Sequence, residues 1–428
     1  MGMKKTKIGM IPEEWDVQSF SDTFRVLNNS TYSRAELNYD SGQFKNIHYG
    51  DVLILFPEVL DCTREDVPYI NDGLRISSSA QPLQDGDVVM ADTAEDETVG
   101  KVTEVTNTSD KPVMAGLHTI PFRVKSGKFV PKWLGYYMNS HLYHDQLLPY
   151  IHGTKVSSVS KGSLGDTVII VPKTFEQEKI ANSLSDVDAL IENLKKFIRK
   201  KKDIRQGTMQ MLVTGKKRLD GFDGDWQTTT LDKLCRLVTK QTGFDYSAEI
   251  KPSLVTAPQI GTIPFIQNKD FEAFDINYNT DFFIPYDVAE KYPKILLDEV
   301  CLLISISGRI GNVAVFDNKQ TAFAGGAVGI AKLFDPDLAS WCMLYLSGKD
   351  GQEQIFSNEK VGAQHNLTVA DVRKLEIRLP EKTEREAIIG VLADMDDEIS
   401  LLEEKLHKYE KVKKGMMEEL LTGKVRLI

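Results

Sequence analysis

Two short polar stretches carry the side chains best suited to reading the edge of another molecule. They are Gly153-Thr154-Lys155-Val156-Ser157-Ser158 and Gly362-Ala363-Gln364-His365-Asn366-Leu367. A carboxamide such as Gln364 or Asn366 sets a donor beside an acceptor and matches adenine, whereas Arg and Lys match guanine. Hydroxyls such as Ser157 and Ser158, and main-chain N–H groups at a glycine turn, suit phosphate oxygens. Lys155, Lys161, Lys240, Lys269, Arg309 and His365 complete a candidate DNA-contact set. The competing reading is an ordinary polar turn in each place.

Catalytic chemistry is harder to find. There is no Gly-x-x-x-x-Gly-Lys-Ser/Thr phosphate loop, and Gly325-Gly326-Ala327-Val328-Gly329 has the wrong spacing for a dinucleotide fingerprint. An Asn/Asp-Pro-Pro-Tyr/Phe string, as expected of an adenine methyltransferase, is missing. His48, His118, His141, His144 and His152 crowd the first half. His141 and His144 can share a helix face, but no carboxylate completes a metal triad, and surface histidines are the simpler reading. Cys62, Cys235, Cys301 and Cys342 are scattered, which argues against zinc and disulfides and for a reducing cytoplasm. No catalytic residue, metal or cofactor is expected.

The remaining bulk properties set bounds. A chain of 428 residues suggests two or three domains. No apolar run reaches the roughly 18 residues of a membrane span. The start, Met1 to Thr6, lacks a secretory h-region; it fits a short N-myristoylation pattern of a kind that recurs by chance. A net charge of −10 is awkward for a DNA binder, so either the basic surface is local or partners supply it.

The elements that must position these residues come in two copies. A shift of 208 residues lays Pro172 on Pro380, Glu176 on Glu384, Glu178 on Glu386 and Ile180 on Ile388. It continues without a gap to Thr214-Gly215-Lys216 on Thr422-Gly423-Lys424 and Arg218-Leu219 on Arg426-Leu427. The front ends echo more faintly, Trp15 before Phe20 and Arg25 answering Trp226 before Leu231 and Arg236. Each half therefore reads as a variable module followed by a near-constant segment: 1–172 and 173–218, then 219–380 and 381–428.

The constant segment is a long helix. Thr174 with Gln177, and Thr383 with Glu386, have capping-box spacing. Ile388, Leu392, Met395, Ile399, Leu402, Leu406 and Tyr409 recur in steps of four and three, with Lys413 a polar exception further on. Ile180, Leu184, Val187, Ile191, Leu194 and Ile198 repeat the pattern, a coiled-coil seam. Gly215 and Gly423 stand where a left-handed C-terminal cap belongs. A helix over about 175–212 spans roughly 55 Å. Seams this long are best buried against each other, and a pseudo-two-fold axis between the halves requires antiparallel helices. That sets the basic block Lys195, Lys196, Arg199, Lys200, Lys201 and Lys202 beside the acidic block Asp394, Asp396, Asp397, Glu398, Glu403 and Glu404.

The modules read as strands and loops. Gly86–Ala91 and Gly100–Val105 form one hairpin, Asp298–Ser305 and Asn312–Phe316 another, the second turning at Gly308–Gly311. Small-residue stretches follow, at Ala115–His118 and Gly325–Gly329. A shorter helix is expected over 131–148 and over 336–353. The fold class is α+β: two globular domains related by pseudo-two-fold symmetry and separated by two long antiparallel coiled-coil helices.

The ordered set Ile8-Gly9-Met10-Ile11-Pro12-Glu13-Glu14-Trp15, Gly362 to Leu367, the duplicated Pro-x-x-x-Glu-x-Glu-x-Ile and the Leu-x-Thr-Gly-Lys-x-Arg-Leu endings resembles the specificity subunit of type I restriction–modification systems over nearly the whole chain. The first module departs from it, with Thr-Lys-Val-Ser-Ser where the second has Ala-Gln-His-Asn. The resemblance implies a non-catalytic protein with two target-recognition domains, each reading half of a bipartite double-stranded DNA site. It also implies helices that act as a spacer and dock two modification methyltransferase subunits, and restriction endonuclease subunits that join them. The alternative is a duplicated coiled-coil scaffold without base-specific DNA binding.

Overall fold

The computed structural model describes residues 2–75, 79–153, 156–272, 274–357 and 366–428. They divide into two compact units: unit 1 is Met1–Lys196 with Glu403–Ile428, and unit 2 is Phe197–Leu402. Each unit thus holds one β-rich module, part of one long helix and part of the other.

In unit 1 a five-stranded sheet has the order Phe24–Val26, Thr119–Val124, Val88–Ala91, Val102–Thr106, Val59–Asp61. A four-stranded sheet runs Val113–Ala115, Lys45–Ile47, Tyr69–Ile70, Leu37–Asn38. Unit 2 repeats the plan with two four-stranded sheets. One is Cys235–Lys240, Val328–Leu333, Cys301–Ser305, Val313–Phe316; the other is Phe283–Pro285, Thr262–Ile266, Ala322–Ala324, Leu296–Leu297.

The central strands show why their sequences are continuously apolar. Side chains alternate between the two faces of a strand. Val88 and Met90 face a core holding Phe122, Trp133 and Tyr137, while Val89 and Ala91 face one holding Leu60, Ile47 and Phe56. In unit 2, Leu302 and Ile304 join Trp341 and Leu346, and Cys301 and Leu303 join Phe265, Phe316 and Phe323. Both expected hairpins are present and antiparallel.

The shorter helices are not the continuous ones expected. In place of 131–148 there are Trp133–Met138 and His141–His144, broken where Asn139 turns its amide onto the Val102 and Gly135 carbonyls. In place of 336–353 there are Ala339–Ser347 and Lys349–Ser357, separated by Gly348 in extended conformation. The second pair packs so closely that a Cβ on Gly351 would lie 2.4 Å from the Leu346 Cα.

The long helices cover Thr174–Val213 and Lys382–Leu420. Gly215 and Gly423 take φ of +69° and +70°. Gly215 N–H reaches the Leu212 carbonyl and Gly423 N–H the Leu420 carbonyl, with Lys217 N–H on Met211 and Val425 N–H on Glu419 beyond them, closing each helix with a left-handed glycine turn. The start differs from the expected capping boxes. The Gln177 amide is buried, donating to the Lys128 and Pro172 carbonyls and accepting from Val130 N–H, while Glu386 faces Lys382 at 3.7 Å. For Gln177, burial within the module outweighs capping.

Within each unit the two helices run antiparallel. In unit 1, Asp188 meets Lys413 and Lys195 meets Glu410; in unit 2, Lys201 meets Glu398 and Arg205 meets Asp396. The Lys201–Glu398 pair joins the two charge blocks as drawn from the sequence, whereas Lys195 meets Glu410 and Asp396 meets Arg205, each outside the opposite block. Seam residues Ile180 and Leu184 enter the unit 1 core together with Leu420 and Leu421. Ile388 and Leu392, with Met395 packed at the edge, enter the unit 2 core together with Met209, Leu212 and Val213. Ile191, Leu194, Ile198 and Ile399 are buried; Val187, Leu402, Leu406 and Tyr409 are half-buried.

Candidate nucleic-acid interface

In unit 2 the strand register gathers several candidate residues at one end. Lys240 closes its strand opposite Gly329, and Ser305 lies opposite Val328. The Gly325-Gly326-Ala327 loop joins that end to the second sheet, where Gly325 N–H donates to the Ile266 carbonyl. Asn268 Nδ2 donates to the Ser307 carbonyl at 2.9 Å, and Asn366 bridges to Ser307. Lys240, Lys269, Arg309 and Asn366 therefore share one pole. Arg309 and Lys240 are exposed there, while Lys269 is engaged by Asp281. Gln364 and His365, like Lys155 of the first module, lie outside the described residues.

The same pole of unit 1 carries different chemistry. Gly116 N–H donates to the Ile47 carbonyl, and Asn29 Nδ2 donates to the Gly116 carbonyl at 3.0 Å. Thr93–Ala94 pairs with Ser157–Ser158, which places both serines at this end. Lys161 follows as the exposed first residue of a one-turn helix capped by Ser160.

The sequence reading missed the aromatic and imidazole groups here. His48 and Tyr49 have ring centroids 4.6 Å apart, and Tyr49 meets His118 edge-on at 5.2 Å. Burial, reinforced by the Arg34 guanidinium, holds His48 below the usual imidazole range, and its Nδ1 accepts from Gly50 N–H. Arg34 is itself fixed by two hydrogen bonds to buried Asp51, at 2.6 and 3.0 Å. His48 and His118 had been read as surface histidines, and only the fold brings them together.

Polar anchors recur where the helices enter each unit. Glu176 accepts from Trp15 Nε1 at 2.8 Å and from Arg426 at 2.5 and 2.9 Å. Glu384 accepts from Trp226 Nε1 at 3.1 Å and from both nitrogens of the Arg218 fork. The pairs Glu176/Glu384 and Arg218/Arg426 had already superposed in the repeat, which was the available signal. In each unit, the glutamate opening one helix is clasped by the arginine that follows the other.

Burial pushes the thiols of Cys62, Cys235 and Cys301 up to about 12, so none is a ready nucleophile. Among the described residues, no group of three or more His, Cys, Asp or Glu side chains is arranged to hold a metal ion, and no helix is long and apolar enough to cross a membrane.

The duplicated architecture has counterparts. The family described as Type I restriction modification DNA specificity domain matches twice, over residues 12–201 and 224–411. The chain belongs to that family. It is 25% identical to the type I restriction enzyme MjaX specificity subunit of Methanocaldococcus jannaschii, over 99% of this chain and 96% of that one. It is 26% identical to the MjaVIII specificity subunit of the same organism, over 64% of this chain and 66% of the relative. Among solved structures, a chain of a type I R-M system matches at a TM-score of 0.60 and 16% identity, covering 97% of this chain and 99% of that one. The S subunit from M. genitalium matches at 0.50 and 13%, covering 96% of each. The protein is thus a type I restriction–modification DNA specificity subunit with two target-recognition domains.

Proposed function

We propose that residues 1–172 and 219–380 each read one half of a bipartite double-stranded DNA target, and that segments 173–218 and 381–428 set the spacing. The helices then dock two modification methyltransferase subunits, which restriction endonuclease subunits join. The chain itself is non-catalytic and confers sequence selection on its partners. The observation that carries this reading is the gathering of Lys240, Lys269, Arg309 and Asn366 at one pole of unit 2, with Ser157 and Ser158 at the matching pole of unit 1.

Main-chain N–H groups and lysines at such a pole suit phosphates, and Arg309 and Asn366 have the geometry for base edges. A chain of net charge −10 gains little from non-specific phosphate neutralisation, so the isolated subunit should bind weakly and depend on partners for affinity. Modified-base sequencing of cells with and without this gene tests the proposal. Loss of one methylated motif, two short blocks separated by a fixed gap, is the expected result. An unchanged methylome with the partner subunits expressed would favour a protein scaffold instead.

A further inference from the structure

His118 sits in an unusual backbone conformation. Its φ is +53°, in the left-handed region that side chains with a Cβ rarely adopt. It closes the three-residue loop Gly116-Leu117-His118 between two strands of unit 1. The matching loop of unit 2, Gly325-Gly326-Ala327, has no residue with positive φ. The fold therefore does not demand this conformation, and a glycine would adopt it without strain. The loop is held by main-chain and threonine contacts: Asp92 N–H donates to the His118 carbonyl, and Thr119 Oγ1 to the Gly116 carbonyl. Nothing in that set needs the imidazole.

The imidazole is instead presented outward. The side chain is 48% exposed at the pole that carries Ser157, Ser158 and Asn29, with Nδ1 3.7 Å from Asp92 Oδ1 and its ring against Tyr49. Asp92 lies on the Nδ1 side of the ring, so Nε2 is the nitrogen left for a ligand, and a neutral ring protonated at Nδ1 accepts there. Tyr49 is half-buried, and its hydroxyl makes no hydrogen bond among the described residues, so it is free to donate. The two rings touch, and an imidazole acceptor with a phenol donor has the hydrogen-bonding chemistry that complements the adenine major-groove edge, where N6–H donates and N7 accepts.

We propose that His118 and Tyr49 together read an adenine in the half-site taken by unit 1, Nε2 accepting from N6–H and the tyrosine hydroxyl donating to N7. The inference rests on the DNA-reading role proposed above and adds to it a named pair and a named base. A tight turn strained for this purpose is how a binding residue is held in place before its ligand arrives.

The test uses the full chain assembled with its modification subunits, comparing wild type with His118→Gly and Tyr49→Phe by modified-base sequencing. Wild type must give a bipartite motif; if it gives none, the underlying DNA-reading role fails and the variants are not needed. His118→Gly should melt at or above the wild-type temperature, because it relieves the left-handed strain. Both variants should then relax one adenine position in one half of the motif by about 5- to 150-fold, the other half staying unchanged. An unchanged motif in both variants would overturn the proposal. So would an equal loss at every position, which would mark a phosphate contact, or a lowered melting temperature for His118→Gly, which would show that the imidazole holds the turn.

Discussion

Replacing Lys413 by Met should destabilise unit 1 severely, because two carboxylates would lose their shared cation. Lys413 is the polar exception in an otherwise apolar seam. Its ammonium lies 2.6 Å from Glu58 and 2.7 Å from Asp188, with side-chain exposures of only 15%, 20% and 23% for the three groups. Burial works against the ammonium, but Glu58 and Asp188 more than offset it and hold its pKa above the ordinary lysine value. Removing one partner of a buried pair costs about 3–5 kcal/mol, and partial solvent access brings the expectation here to about 3 kcal/mol. In a unit of roughly 200 residues that lowers the melting temperature by about 6–12 °C. Differential scanning calorimetry of wild type, Lys413→Met, and Lys413→Met with Glu58→Gln and Asp188→Asn separates the causes. The triple variant should recover most of the loss, since it removes the orphaned charges along with the cation. A single variant within about 0.5 kcal/mol of wild type, or a triple variant no better than the single, would refute the reasoning.

Arg309→Ala should relax one guanine position in one half of the recognised motif by about 1–3 kcal/mol, as read from methylation of a randomised site library; an unchanged motif would remove Arg309 from the interface. Adding one heptad within the second long helix should shift or abolish the recognised spacing, and sequencing the methylated sites of that variant checks it. Glu104 accepts N–H groups from Lys132 and Gly135, yet burial pushes its pKa up to about 7 from 4.5. The folded state thus favours its protonated form, so its contribution is full below pH 4.5 and is lost as pH rises through about 7. Urea denaturation across that window should show wild type losing about 3 kcal/mol relative to Glu104→Gln; parallel curves would refute the assignment.

The repeat made much of this protein legible before any coordinates, for a physical reason. A helix seam is a one-dimensional pattern, so Ile180, Leu184, Ile388 and Leu392 announce burial by spacing alone. The central strands were equally plain, since a run such as Val88–Ala91 is apolar because both its faces are covered. The candidate recognition pole was only half legible. Lys240, Lys269, Arg309 and Asn366 come from four separate segments, and strand register alone makes them neighbours. His48, Tyr49 and His118 could not be grouped from sequence, because the contact that joins them crosses between the start of the Tyr49–Ile54 helix and a loop far away in the chain.

The capping boxes failed for a related reason. Gln177 has the spacing to cap Thr174, but a module segment at Lys128–Val130 offers its amide two partners in a buried setting, and the Pro172 carbonyl a third. An unsatisfied buried amide costs about 1–3 kcal/mol, more than a cap at an exposed helix end typically returns, so the tertiary contact wins. The same logic explains the paired clasps. Glu176 is almost fully buried and needs a cation, and the arginine that supplies it comes from the end of the second helix, as Arg218 at the end of the first supplies Glu384. Each unit is therefore complete only with the start of one long helix and the end of the other. Losing Leu420, Leu421 and Arg426 would expose the core and the buried carboxylate of the unit that contains the chain's first residues. A protein with two target-recognition domains thus builds the core of each unit with residues from both long helices.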